Sequence, residues 1–381
     1  MKFDFISILI FTGFIQGIFI GTIHLIKGGT NRKANKYLGW LLIISSITIL
    51  HFLFFRAGIY KAYPHAHKIF YPLLFLIGPF FYLYVKQLIK PKENISLKSF
   101  LHFIPSLVVL ILLVPYYIQS ANNKLELINN YENNKFLPLD FILGTGQIIQ
   151  LIIYLILSKI SVTKYYKSLK EQHSSTVGIN LFLINYVIWG MASIFVLIFI
   201  SSMLQSVGLL LFSDFNIYTP IFFTVIIYVM GYILLGKSQT AEIDDNIVKY
   251  KGSKLTEKEA EKYLNCLTKY MREKKPYLKN DLTILDLAEL TNIPPRYLSQ
   301  IINTKLSLNF YEFVNKYRIE ECIKLFKEES AENYTILALA LESGFQSKTA
   351  FNTAFKKFTG KTPSALRKSI NREGKITAYL K

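Results

Sequence analysis

Two short runs near the carboxyl end carry side chains suited to reading a nucleic acid. Arg296, Ser299, Gln300 and Asn303 form one, and Lys348, Thr349, Asn352, Thr353, Lys356 and Lys357 form the other, with Arg367 beyond them. Asn and Gln amides can bond both edge atoms of adenine, Arg can grip guanine through its fork, and Lys supplies salt-sensitive charge against phosphate. Spacing adds to chemistry. In each run the polar residues recur at intervals of one, three and four, so a helix would present them on one side. The interleaved apolar residues are Leu298, Ile301 and Ile302 in the first run and Phe351, Phe355 and Phe358 in the second, a stripe that would face a core. For residues 348–357 the plain alternative is a solvated basic helix face.

Each run needs a scaffold, and the residues before it supply one. Thr283 and Asp286 have the spacing of a capping box, in which a hydroxyl and a carboxylate satisfy the free N–H groups of a first turn. Leu287, Ala288 and Leu290 then make an apolar face, with Ala288 small enough for close helix crossing. Thr291, Asn292 and Ile293 read as a turn. Pro294 and Pro295 suit a helix start, because proline lacks the N–H that a first turn leaves unpaired. The plan repeats later: Thr335 caps a helix holding Leu339, Ala340 and Leu341, Gly344 permits a left-handed turn, Phe345 plugs the core, and Ser347 caps a helix to about Phe358. Ala288 and Ala340 are equivalent and 52 residues apart. A helix over about 309–328, containing Tyr317 and Arg318, spaces the two units. Upstream, Tyr263, Leu267, Tyr270 and Met271 recur with helical period within Leu255–Lys275; such a helix packs on its own domain or dimerises the protein.

Gly344-Phe345-Gln346-Ser347-Lys348, then Phe351, Phe355-Lys356-Lys357-Phe358, Gly360, Thr362-Pro363 and Arg367 resemble the signature of the AraC/XylS family of bacterial transcription factors. The resemblance covers roughly residues 260–370 and is strongest in the second unit. It implies two helix-turn-helix units whose recognition helices enter successive major grooves of double-stranded DNA. By that resemblance Arg296, Ser299 and Gln300 read bases from the first helix, with Asn303 on the same outward face. Lys348, Thr349, Asn352 and Thr353 read from the second, and Lys356, Lys357 and Arg367 lie near phosphates. Two positions depart from the pattern. Pro294-Pro295 stand where Ser or Thr is usual, which puts the entry angle of the first helix in doubt, and Leu366 stands where an aromatic often precedes the last arginine.

Residues before this region belong to a different chemical class. The 381 residues are 51% hydrophobic with positive mean hydropathy, too apolar for an ordinary soluble domain. Seven apolar stretches approach the roughly 20 residues a bilayer core needs: 3–26, 37–55, 68–89, 100–118, 138–159, 181–205 and 218–235. The first is too long for a signal peptide and lacks a small-x-small cleavage site, so it reads as retained. The expected fold is therefore all-α: a seven-helix transmembrane domain over 1–236, a linker over 237–254, and a cytosolic AraC-type domain over 255–381 with units at about 283–303 and 335–358.

Charge sets the orientation. Residues 1–236 hold 18 Lys/Arg against 7 Asp/Glu and the remainder 26 against 18, so the excesses of 11 and 8 make the net +19. In the first half the excess falls in loops 27–36, 86–98 and 159–170, which by the positive-inside rule face the cytoplasm. That places the amino terminus outside and, after an odd number of spans, the carboxyl half inside with the DNA. The bacterial inner membrane is the expected location. The polar segment Gln119–Leu139 is the longest outer loop and the place where a signal would be met.

Little in the apolar half suggests catalysis. No nucleophile–base pair, Gly-rich phosphate loop, acidic dyad or metal cluster emerges, so no enzyme activity, cofactor or metal is expected. His24, His51 and His102 read as interfacial, His65 and His67 as a weak metal pair, and Gln16, Gln147, Gln150 and Asn185 as interhelical hydrogen-bonding residues. Cys266 and Cys322 read as buried, reduced thiols. The leading expectation is a membrane-bound, sequence-specific regulator that couples an outer or intramembrane signal to promoter binding. The alternative is a transporter or membrane enzyme fused to a DNA-binding regulatory domain.

Overall fold

The computed structural model describes residues 5–27, 31–91, 97–132, 138–175, most of 184–200, parts of 220–229, 255–328 and 333–370. Among these the regular elements are helices, and the one β-bridge joins His173 to Thr283. The chain forms two compact units, residues 1–163 with 180–240, and residues 164–179 with 241–381.

Among the described residues four helices are long and apolar enough to cross a membrane: Phe5–Ile26, Arg32–Arg56, Pro64–Ile89 and Pro138–Gln172. Seven were expected. The stretch expected at 100–118 is interrupted: a 3-10 segment Leu97–Phe103 leads into Ile104–Leu112, and Val114–Tyr117 follows as a short separate helix. Pro105 and Pro115 each stand in a first turn, where a residue without an N–H restarts rather than continues a helix. The expected spans 181–205 and 218–235 fall largely outside the described residues, and the linker 237–254 falls entirely outside them.

Small residues let two of these helices approach closely. A Cβ on Gly39 would stand 2.7 Å from the Gly21 carbonyl oxygen, and one on Gly21 would stand 2.9 Å from that of Gly39. Backbones this near are typical of small-residue crossings in lipid, where packing rather than hydrophobicity drives association. Interhelical hydrogen bonds join Gln150 Nε2 to the Phe75 carbonyl at 3.1 Å and Lys159 Nζ to Asn185 Oδ1 at 2.6 Å. His24 is fully buried rather than interfacial. His51 and His102 each lie 3.0 Å, through Nδ1, from the hydroxyls of Tyr60 and Tyr154. His67 pairs with the Tyr116 hydroxyl at 2.6 Å, and no cluster of three metal-ligating side chains occurs among the described residues. Two expected loops are helical: Gln119–Leu139 contains the helix Ala121–Glu132, and 159–170 continues the helix Pro138–Gln172.

The second unit is built around two apolar clusters joined by the helix Phe310–Phe326. Leu267 and Met271 of the helix Glu257–Lys274 sit in the first cluster, with Tyr263 and Tyr270 packed against it; this is the packing alternative of the two expected for that helix. Cys322 is buried in the second cluster, and burial pushes its thiol up to about 12; Cys266, expected to be buried, is exposed. Residues 164–179, expected to belong to the membrane half, group with this unit.

Candidate nucleic-acid interface

Within the second unit a helix, a short turn and a second helix occur twice. Ile284–Thr291 leads to Pro295–Leu306, and Ile336–Glu342 leads to Lys348–Thr359. The local chemistry of each start is the one its residue types require. Thr283 Oγ1 accepts from the Asp286 N–H while the Asp286 carboxylate accepts from the Thr283 N–H, closing the capping box. Burial works to raise the Asp286 carboxyl, but bonds from Thr283 and Lys279 outweigh it and hold its pKa below the usual value. Pro295 opens its helix at N1. Thr335 and Ser347 cap the later pair by accepting from the N–H groups of Ala338 and Ala350.

The turns differ. Asn292 takes the left-handed conformation at φ +54° in the first, and Gly344 takes φ +92° in the second. A Cβ on Gly344 would lie 2.4 Å from the Tyr277 carbonyl oxygen, so glycine is needed there for space as well as for φ. Phe345 fills the core beneath, 2% exposed.

Anchoring follows the expected stripes. Leu298, Ile301 and Ile302 are completely buried, as are Phe351 and Phe355 to within 1%, with Phe358 packed at the edge. Leu290 and Leu341, expected on the apolar faces, are about half exposed, at 47% and 50%. Both sit in the last turn of their short helices.

The polar residues divide sharply. On Lys348–Thr359 the side chains of Lys348, Thr349, Asn352, Thr353, Lys356 and Lys357 are exposed, and Asn352, Thr353, Lys356 and Lys357 are neighbours on one face of the helix. Lys357 also pairs with Glu312 of the joining helix; burial works against that carboxylate, but Lys357 and the Asn309 N–H outweigh it and hold its pKa low. Arg367 donates to the Tyr334 carbonyl at 2.9 Å and lies over the Phe326 ring, so it is committed to the fold on one side. On Pro295–Leu306 the expected outward set is covered. Ser299 is 1% exposed, Arg296, Gln300 and Asn303 are partly covered, and Asn303 donates to the Glu171 carboxylate at 2.7 Å.

Sequence reasoning gave Arg318 no role, yet its guanidinium is the centre of the unit. It is 1% exposed and donates to the carbonyls of Tyr277, Lys279, Asn280 and Ser174, to Ser174 Oγ and to Asn315 Oδ1. Burial pulls its pKa down to about 10, so it is still charged at neutral pH. Its position on the buried stripe after Phe313 and Val314 was the available signal, since an arginine there must find acceptors.

Comparison with known proteins agrees with this geometry. A family model described as "Helix-turn-helix domain" matches residues 287–369. The chain is 31% identical over 93 residues to an uncharacterised HTH-type transcriptional regulator of Haemophilus influenzae, covering 24% of this chain and 30% of that one. It is 27% identical over 106 residues to the raffinose operon transcriptional regulatory protein of Pediococcus pentosaceus, covering 28% and 36%. An uncharacterised HTH-type transcriptional regulator of Staphylococcus aureus (strain COL) is 34% identical over 91 residues, covering 24% and 12%. The match thus spans 12% to 36% of these relatives' lengths. Residues 287–369 are a helix-turn-helix domain similar to those of transcriptional regulators.

Proposed function

We propose that the chain is a sequence-specific DNA-binding transcriptional regulator held in the inner membrane, with its amino terminus outside and its carboxyl-terminal unit in the cytoplasm. The observation that carries the reading is the helix Lys348–Thr359. Phe351, Ala354 and Phe355 lock one side into the core, while Lys348, Thr349, Asn352, Thr353 and Lys356 stand exposed on the other. An amide and cations held rigidly on one face suit base edges and phosphates in a major groove. Arg296, Ser299, Gln300 and Asn303 would contribute a second reading face, and Arg367 would steady the phosphate side. Four membrane-length apolar helices support anchoring, and the lysines and arginines of the connecting segments support the orientation. A signal met outside or within the bundle would alter promoter occupancy by changing the pose or dimerisation of the cytoplasmic unit.

The test is selection from a random duplex library by the full chain in lipid nanodiscs. A shared sequence element is expected, with binding that falls steeply with salt and with Asn352→Ala relaxing base preference while leaving the salt slope near that of the wild type. Retention of duplexes with no common element by a correctly folded protein would overturn sequence-specific reading.

A further inference from the structure

On the Pro295–Leu306 face that would meet bases, Asn303 is already engaged from within the same unit. The segment 164–175 continues the helix that begins at Pro138 and then leaves it at Gln172 to run across the helix-turn-helix region. Glu171, 7% exposed, accepts from Asn303 Nδ2 at 2.7 Å. His173 bridges to Thr283, the cap of the first pair. The Ser174 N–H donates to the Leu282 carbonyl at 3.0 Å, and its carbonyl and hydroxyl both accept from Arg318 at 3.1 Å. Ser175 Oγ donates to Gln346 Oε1, in the turn of the second pair, at 2.7 Å. Five consecutive residues thus include four that touch the first pair, the joining helix and the second turn.

We propose that residues 171–175 are a strap that closes the first reading helix to DNA, so that at rest the protein reads DNA through Lys348–Thr359 alone. The proposal rests on the regulator reading above and names how that same site is controlled. A carboxylate bonded to Asn303 takes its amide donor from a base edge and sets a negative charge where the phosphate backbone would approach. The closed arrangement is not fully satisfied: Gln300 Oε1 is enclosed without a hydrogen-bond donor, a cost that a base amino group would relieve on opening. The strap follows the helix Pro138–Gln172 without a break. Arg318 is the latch, since its bonds to Ser174 must exchange for water before the strap can lift.

The experiment is footprinting of the full chain in nanodiscs on the duplex it selects, comparing wild type with Glu171→Ala. The wild type should protect one half of a bipartite element strongly. The variant should protect both halves and bind about tenfold more tightly, within the usual range of intramolecular coupling. If Glu171→Ala does not fold, Glu171→Gln, which keeps the volume and removes the charge, is read the same way, with a smaller gain. Equal protection of both halves by the wild type overturns the strap, as does a folded variant that still protects one half, and in either case the regulator reading stands. No duplex enriched by either form overturns the regulator reading and the strap with it.

Discussion

The two helix-turn-helix pairs share a plan and differ in what their surfaces can do. Both begin at a threonine cap, turn through a left-handed residue and bury three apolar side chains of the following helix. In the later pair the opposite face is open, whereas in the earlier one Ser299 is sealed and Asn303 is held by Glu171. Local sequence decides how a side chain is aimed, and remote sequence decides whether it is available. A helix can therefore carry polar residues aimed outward and still have them engaged within its own unit.

The largest expected effect removes what both pairs share. Arg318→Leu would take the guanidinium donor from the Tyr277, Asn280 and Ser174 carbonyls, costing the unit about 3–5 kcal/mol, since each orphaned buried acceptor costs roughly 1–3 kcal/mol. Urea unfolding would measure it, and a loss under about 1 kcal/mol would show that water substitutes freely for the guanidinium. Gly344→Ala comes next. The left-handed backbone alone costs about 1–3 kcal/mol, and the added Cβ meets the Tyr277 carbonyl. The matching Asn292→Gly change in the first turn should be neutral or mildly stabilising, which a paired melting experiment would show.

Much of this unit was legible beforehand because capping, proline and apolar-stripe signals are local. Thr283 with Asp286, Pro295, Ser347, and the pair Phe351 and Phe355 all do what their types and spacing require. The strap was not legible. Glu171 and Asn303 lie 132 positions apart, and nothing in the period of either segment marks the other as a partner. The burial of Ser299 was missed for the same reason, because helical periodicity gives a direction and not an occupant. In the apolar half, composition identified membrane-length material but overlooked how Pro105 and Pro115 divide one stretch and how a polar segment folds as Ala121–Glu132.

Two smaller effects sharpen the contrast between the faces. Asn352→Ala should cost about 1–3 kcal/mol of discrimination at one base pair, whereas Asn303→Ala should cost the wild type no discrimination at any base pair, because its amide is already engaged by Glu171. In the Glu171→Ala background the two alanine changes should become comparable, and competition binding with base-substituted duplexes would reveal whether they do. The smallest effect is a response to acid. The Asp286 carboxyl titrates below its usual value of about 3.9, so its contribution is present above that pH and is lost as pH falls through the depressed value. The later pair has Ala338 at the matching position and no carboxylate in its cap. As pH falls below the usual carboxylate value, amide exchange should therefore rise first around Thr283–Leu287, and a simultaneous rise in both pairs would contradict the difference.

The most direct measurement is crosslinking in the host cell, followed by isolation of the membrane fraction and sequencing of the DNA bound to the full chain. A membrane-held regulator predicts a few sharp sites sharing one element, lost in Asn352→Ala. An expressed, membrane-inserted protein that recovers no enriched sites, both as wild type and as Glu171→Ala, would contradict it.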